Sequence, residues 1–184
     1  KEEALMLAQK HIKDNIQTLV DEHEITVQKA QSIINSLSYT TQKDCFQDCD
    51  LVVESIIENV DIKKSYYQDI SQIVKEDTIL ATNTSGISIN DLASSVYKPE
   101  RFIGMHWFNP SHLILLIEII KGDYTSDEVA QAIYQLSIDI RKKPVIVQKD
   151  VLGFAANRIQ FAVLREALSL VEQGVVSKEG IDDV

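Results

Sequence analysis

Basic residues are scarce in this chain. Eighteen lysines and arginines stand against 28 aspartates and glutamates, a formal charge of −10 over 184 residues. Such a chain is a poor candidate for binding nucleic acid or an anionic membrane through its net charge. Cysteine is nearly missing: Cys45 and Cys49 cannot build a disulfide framework, and their spacing lacks the further ligands of a zinc site. They read as plain thiols, which suits a reducing compartment. With six glycines, three prolines, no internal repeat and no low-complexity segment, collagen-like and wholly disordered chains are excluded. Long apolar runs are absent too. The longest, Leu113–Ile117, stops at Glu118, far short of a membrane span. Lys1-Glu2-Glu3 leads straight into an amphipathic pattern, so no secretory signal is expected. No initiator Met opens the chain, and Asp182-Asp183-Val184 closes it as a new helix begins. The chain reads as a fragment.

What is present is globular: 45% of residues are apolar and 25% charged. Leu5, Ala8, Ile12, Ile16 and Leu19 form a helical stripe over 3–22, and a weaker one covers 27–37. From Asp50 the period changes. Leu51–Val53, Thr78–Ala81, Phe102–Met105, Leu115–Ile120 and Val145–Val147 read as short buried strands. A helix is expected over 59–74. A second opens at a capping box, Thr125-x-x-Glu128, with Val129, Ile133, Leu136 and Ile140 on one face, and ends before Pro144. A long helix runs from about Leu152 to Glu172, closed by Gly174. Alternating strands and helices predict an α/β parallel sheet with helices on both faces. The long last helix has no following strand and starts an all-helical domain, which divides the chain into 1–148 and 149–184.

Four residues break their local pattern. Glu118 sits inside the run Leu113–Ile120, either buried and paired or at an exposed strand end. His106 ends the strand Phe102–Met105. It is either a structural histidine or a base whose tautomer the carboxylate fixes. Ser85, in Asn83-Thr84-Ser85-Gly86, follows a strand, where open α/β sheets bind ligands. A plain polar turn explains it equally, and without G-x-S-x-G a hydrolase elbow is unsupported. Asn157 fills a gap between Phe154 and Phe161 on an apolar helical stripe, so its amide meets another helix or a ligand. A fifth polar cluster, Glu54 to Lys63, follows the first strand and taken alone is a solvated helix start. His11, His23 and His112 read as surface residues, and no metal site is expected.

Five ordered segments carry a resemblance: Leu51-Val52-Val53-Glu54 with Glu58-Asn59 and Lys63; Ala81–Ser85; Gly104-Met105-His106-Trp107-Phe108-Asn109-Pro110; Leu116-Ile117-Glu118; and Gly153-Phe154-Ala155-Ala156-Asn157-Arg158. Together they resemble the L-3-hydroxyacyl-CoA dehydrogenase family. The resemblance implies a Rossmann-like NAD-binding domain followed by the first long helix of an all-α dimerisation domain. It implies that His106 and Glu118 form the acid/base pair, with Ser85 and Asn157 completing the catalytic set. It implies that Glu58, Lys63, Ser85 and Asn109 contact NAD. The substrate would be an acyl-CoA or another 3-hydroxy acid, and the full-length protein a homodimer through its C-terminal helices. A bacterial cytoplasm is the expected location, with the mitochondrial matrix as the alternative.

The chain departs from the family pattern in two places. None of its glycines forms the G-x-G-x-x-G fingerprint that cradles a dinucleotide pyrophosphate. On the first helix, Asn15 and Glu22 stand where the family has a CoA-contacting serine and lysine. Two rival readings follow: a dehydrogenase of a free 3-hydroxy acid, of L-gulonate or carnitine type, and a non-catalytic protein using the same fold.

Overall fold

A computed structural model describes residues 2–184. It divides into two compact units, Lys1–Cys45 and Phe46–Val184. In the first, α1 (Glu2–Asp21) contacts α2 (Val27–Asn35), whose N-cap Thr26 accepts a hydrogen bond from Lys29 N. Ile16 and Ala30 are the buried residues of these helices.

The second unit is built on a five-stranded sheet in the order β1 (Leu51–Glu54), β2 (Ile79–Thr82), β3 (Phe102–Trp107), β4 (Leu116–Ile120), β5 (Lys143–Val147). It also holds α3 (Val60–Ile73), α4 (Ile89–Ala93), α5 (Asp127–Asp139), α6 (Ala156–Glu172) and α7 (Lys178–Asp183). β1, β2 and β3 are parallel, β4 runs antiparallel to β3, and β5 is parallel to β4. The sheet is therefore mixed, not the all-parallel sheet that the alternation of strands and helices suggests. The cause is local: β3 and β4 are joined by residues 108–115 with no helix between them, and parallel neighbours need a crossover.

Strand side chains alternate between the faces. Val52, Leu80, Phe102 and Ile120 point to the face covered by α3 and α4, where they meet Tyr67, Ile70, Ile89 and Leu92. Ala81, Ile103, Met105, Ile117 and Ile119 point to the other, covered by α5 through Ala130 and Ile133. Gly104 lies beneath α4. A Cβ there would stand 2.9 Å from both Ile120 Cβ and Ile89 Cδ1, so only glycine permits this approach.

Several local expectations shift. The cap of α5 is Ser126, which accepts from Val129 N at 3.2 Å. Thr125 instead donates to Phe102 O at 2.6 Å and accepts from Gly122 N, so no Thr125–Glu128 capping box forms. Pro144 does not stop the preceding helix. It lies within β5, an edge strand, where its missing N–H costs little. The last helix starts at Ala156 rather than Leu152, because Gly153 (φ +74°) and Phe154 (φ +48°) form a left-handed turn before it. Phe154 is thus off the helical stripe and buried against the sheet.

Candidate active site

Counting alternate residues along each strand puts Glu54, Thr82, His106 and Glu118 on one face, the side covered by α3 and α4. Three of the four stand at the carboxyl ends of β1, β2 and β3. The fourth enters from the antiparallel β4, where Glu118 is the direct cross-strand partner of His106. Directly opposed residues hold their Cβ atoms about 5 Å apart on the same face. The register alone therefore brings imidazole and carboxylate together.

His106 Nδ1 lies 3.0 Å from Glu118 Oε2, and both residues are buried. The second oxygen, Oε1, accepts from Ala155 N at 2.9 Å and Ala156 N at 2.8 Å. Glu118 thereby satisfies two donors at the amino end of α6, which has no side-chain cap of its own. Burial pushes the carboxyl pKa up. The hydrogen bonds from His106, Ala156 and Ala155 outweigh this and hold it below the usual carboxylate range. An ionised Glu118 only accepts, so His106 Nδ1 carries a proton, and in the neutral ring the lone pair is on Nε2. No fully buried side-chain nitrogen or oxygen lacks a partner among the described residues, and Nε2 makes no hydrogen bond to them, so it keeps a small contact with solvent. The rings of Phe108 and Phe154, with centroids 4.4 and 5.6 Å away, flank the imidazole.

The next residue of α6 reaches a second cluster: Asn157 Nδ2 donates to Ser85 O at 3.2 Å. Ser85 N donates to Glu58 Oε1 at 3.0 Å, Thr84 Oγ1 donates to the same oxygen, and Lys63 Nζ lies 3.3 Å from Oε2. These contacts overcome the effect of burial and lower the Glu58 pKa. Asn83 ties the strand ends: its Oδ1 accepts from Trp107 N at 2.8 Å and its Nδ2 donates to Ser55 Oγ at 3.2 Å.

The structure thus brings His106 to Glu118, and joins Glu58, Lys63, Ser85 and Asn157 in a neighbouring chain of contacts. Asn109 stands apart: it is exposed on the segment after β3 and makes no side-chain hydrogen bond among the described residues. Lys63 is fully buried, while Glu58 and Ser85 keep exposed polar groups at the carboxyl end of the parallel strands, where a ligand of this fold binds. Sequence reasoning gave no separate role to Glu54, Tyr67, Thr82 or Thr84. Glu54 carried a signal, since it ends an apolar strand just as Glu118 interrupts one. The other three became visible only through the fold. No group of three or more metal-ligating side chains occurs among the described residues.

Residues 1–151 match the family model described as 3-hydroxyacyl-CoA dehydrogenase, NAD binding domain, and residues 153–184 match the model of the C-terminal domain. The chain belongs to the 3-hydroxyacyl-CoA dehydrogenase family. It is 45% identical over 139 residues to 5-formyl-3-hydroxy-2-methylpyridine 4-carboxylate 5-dehydrogenase of Mesorhizobium japonicum, covering 76% of this chain and 45% of that protein. It is 42% identical over 151 residues to 3-hydroxybutyryl-CoA dehydrogenase of Clostridioides difficile, covering 82% and 53%. Among solved structures, (S)-3-hydroxybutyryl-CoA dehydrogenase from Ralstonia eutropha is 34% identical, with a TM-score of 0.93 over 97% of this chain and 63% of that one. The chain spans about half the length of these curated relatives. No described helix is long and apolar enough to cross a membrane.

Proposed function

We propose that the full-length protein is an NAD-dependent 3-hydroxyacyl-CoA dehydrogenase and that His106 is its acid/base. The observation carrying this reading is the buried His106–Glu118 pair, in which Nδ1 faces the carboxylate and Nε2 has no protein partner among the described residues. In the oxidative direction Nε2 takes the proton of the substrate's 3-hydroxyl, and the imidazolium that forms stands against the Glu118 carboxylate. Ala155 and Ala156 favour that carboxylate throughout, because their N–H groups bond only an acceptor. Phe108 and Phe154 pack against the ring and replace water there with apolar surface, which strengthens the pair electrostatically. Ser85 and Asn157 stand at the rim to hold the reacting oxygen.

NAD, when bound, supplies the hydride acceptor for C3. Glu58 and Ser85 would hold the nicotinamide end of such a dinucleotide; Lys63, buried behind Glu58, would act through it rather than touch the ligand, and Asn109 is carried over by the resemblance alone. The six glycines of this chain hold no pyrophosphate fingerprint. A homodimer is supported by α6, which leaves Ile159, Phe161, Val163, Leu164 and Leu168 exposed.

A second reading, a dehydrogenase of a free hydroxy acid, is favoured by two observations. The relative at 45% identity is named for a pyridine carboxylate, not a thioester. The resemblance, in addition, sets Glu22 against the family's CoA-contacting lysine, and an acid repels phosphates.

The test is NADH oxidation by the full-length protein with acetoacetyl-CoA and with free acetoacetate. Turnover of the thioester alone supports the first reading, and turnover of neither removes it. His106→Gln should lower kcat by about 10²- to 10⁴-fold, the range for losing a general base, with NADH binding retained. Unchanged turnover would sink His106 as the base.

A further inference from the structure

Lys63 is completely buried, on the first turn of α3. Every local rule opposes it there. Desolvation disfavours its charge, and the positive end of the helix repels a cation. A buried ion pair is weak evidence of stabilisation, since apolar side chains of equal volume often do as well. Its position must therefore be explained by what it reaches. Lys63 Nζ donates to Glu54 Oε1 at 2.6 Å and Ile56 O at 3.4 Å, and lies 3.3 Å from Glu58 Oε2. Three N–H groups face three protein acceptors.

Glu54 is as fully committed. Its Oε1 also accepts from Ile56 N at 2.6 Å, and its Oε2 accepts from Tyr67 Oη at 3.1 Å and Thr82 Oγ1 at 2.9 Å. Glu58, by contrast, lies 46% exposed at the rim, and its contacts with Lys63, Thr84 and Ser85 hold it in one place.

We propose that Glu54 and Lys63 are positioning residues of this site: the buried pair tethers Glu58, which sets the Thr84–Ser85 turn and the carbonyl that receives Asn157. The identity of the ligand rests on the dehydrogenase reading above; the tether does not.

The variants are Glu54→Gln, Lys63→Met and the pair together, made in the full-length protein. Lys63→Met alone strands a buried carboxylate and should unfold at much lower temperature. The double variant removes both charges and should recover most of the loss. Without ligand, it should still exchange the Ser85 amide about tenfold faster than wild type, and bind NADH about tenfold more weakly, as expected when a hydrogen bond to a charged group is loosened. A purely structural pair would restore all three readouts together. Wild-type Ser85 protection and NADH affinity in the folded double variant would overturn the proposal. If the wild type binds no NADH, the dehydrogenase reading fails, and Ser85 exchange alone still decides the tether.

Discussion

Replacing Glu118 by Gln separates its two jobs. In wild type, one oxygen serves His106 and the other caps α6 through two backbone N–H groups. Glutamine keeps one carbonyl oxygen, which can still accept from Ala155 and Ala156. Its other end becomes NH2, which only donates. His106 Nδ1 must then accept, so the ring proton moves to Nε2 and the base loses its lone pair. Exchanging three bonds to a charged acceptor for neutral ones, at about 1 kcal/mol each, is partly offset by the lower cost of burying an amide. A net loss of roughly 1–2 kcal/mol follows. Glu118→Ala instead leaves two N–H groups and an imidazole N–H without their partner, and at about 1–3 kcal/mol for each unsatisfied buried donor should cost about 3–5 kcal/mol. Turnover should fall by about 10²-fold or more in both. Acid should reveal the same carboxylate. Its folded pKa lies below the unfolded value, so its stabilisation is present at neutral pH and lost as pH falls through the folded pKa. The Tm of wild type should therefore drop more steeply below about pH 4 than that of Glu118→Gln. Thermal melts of the three proteins, a pH series and steady-state rates decide the matter. A glutamine variant that turns over like wild type, or melts like the alanine variant, refutes this account of Glu118.

Ser126→Ala should cost about 1 kcal/mol by uncapping α5, whereas Glu128→Ala should leave the melting temperature unchanged. An equal loss in Glu128→Ala would show that its side chain also caps the helix, against this reading. Gly104→Ala forces a methyl to 2.9 Å from Ile120 and Ile89. About 1–3 kcal/mol of overpacking should result, read as a Tm drop of about 2–4 °C per kcal/mol for a chain of this size.

Much of this was legible in the sequence, for a physical reason: a polar residue inside an apolar strand must have a partner, and Glu118 and His106 are such residues. Their separation in sequence says nothing of geometry, however. The antiparallel turn between β3 and β4, which makes them cross-strand partners, carries no helix-or-strand signal of its own. Asn157 is legible as an anomaly, yet its amide meets the Ser85 carbonyl on a loop rather than another helix or a ligand, and the stripe that marks it is only partly there. Phe154 does not share its helical stripe, because two left-handed residues delay the helix to Ala156. Nothing in the sequence marks the short α4; a helix of five residues is below the length at which periodicity speaks. Glu54 ends an apolar strand, but its burial depends on α3 folding over the end of β1, which no local pattern encodes.

The first turn of α6 is where the two halves of the site become one. Ala155 and Ala156 present backbone N–H groups to Glu118, and Asn157 presents its side chain to the backbone of Ser85. A contact made by a backbone is indifferent to side-chain identity but sensitive to the path of the chain. That path is set by Gly153 and Phe154 in left-handed conformations, the second of which is costly for a residue with a Cβ. The cost is met by burying the Phe154 ring in the core beside His106. The same aromatic side chain that walls the imidazole therefore also fixes where the helix begins. A displacement of that turn would move the partner of Glu118 and the partner of Ser85 together, so errors in the two clusters are correlated rather than independent. Losses from weakening both should then fall short of additive, the signature of side chains that share one support.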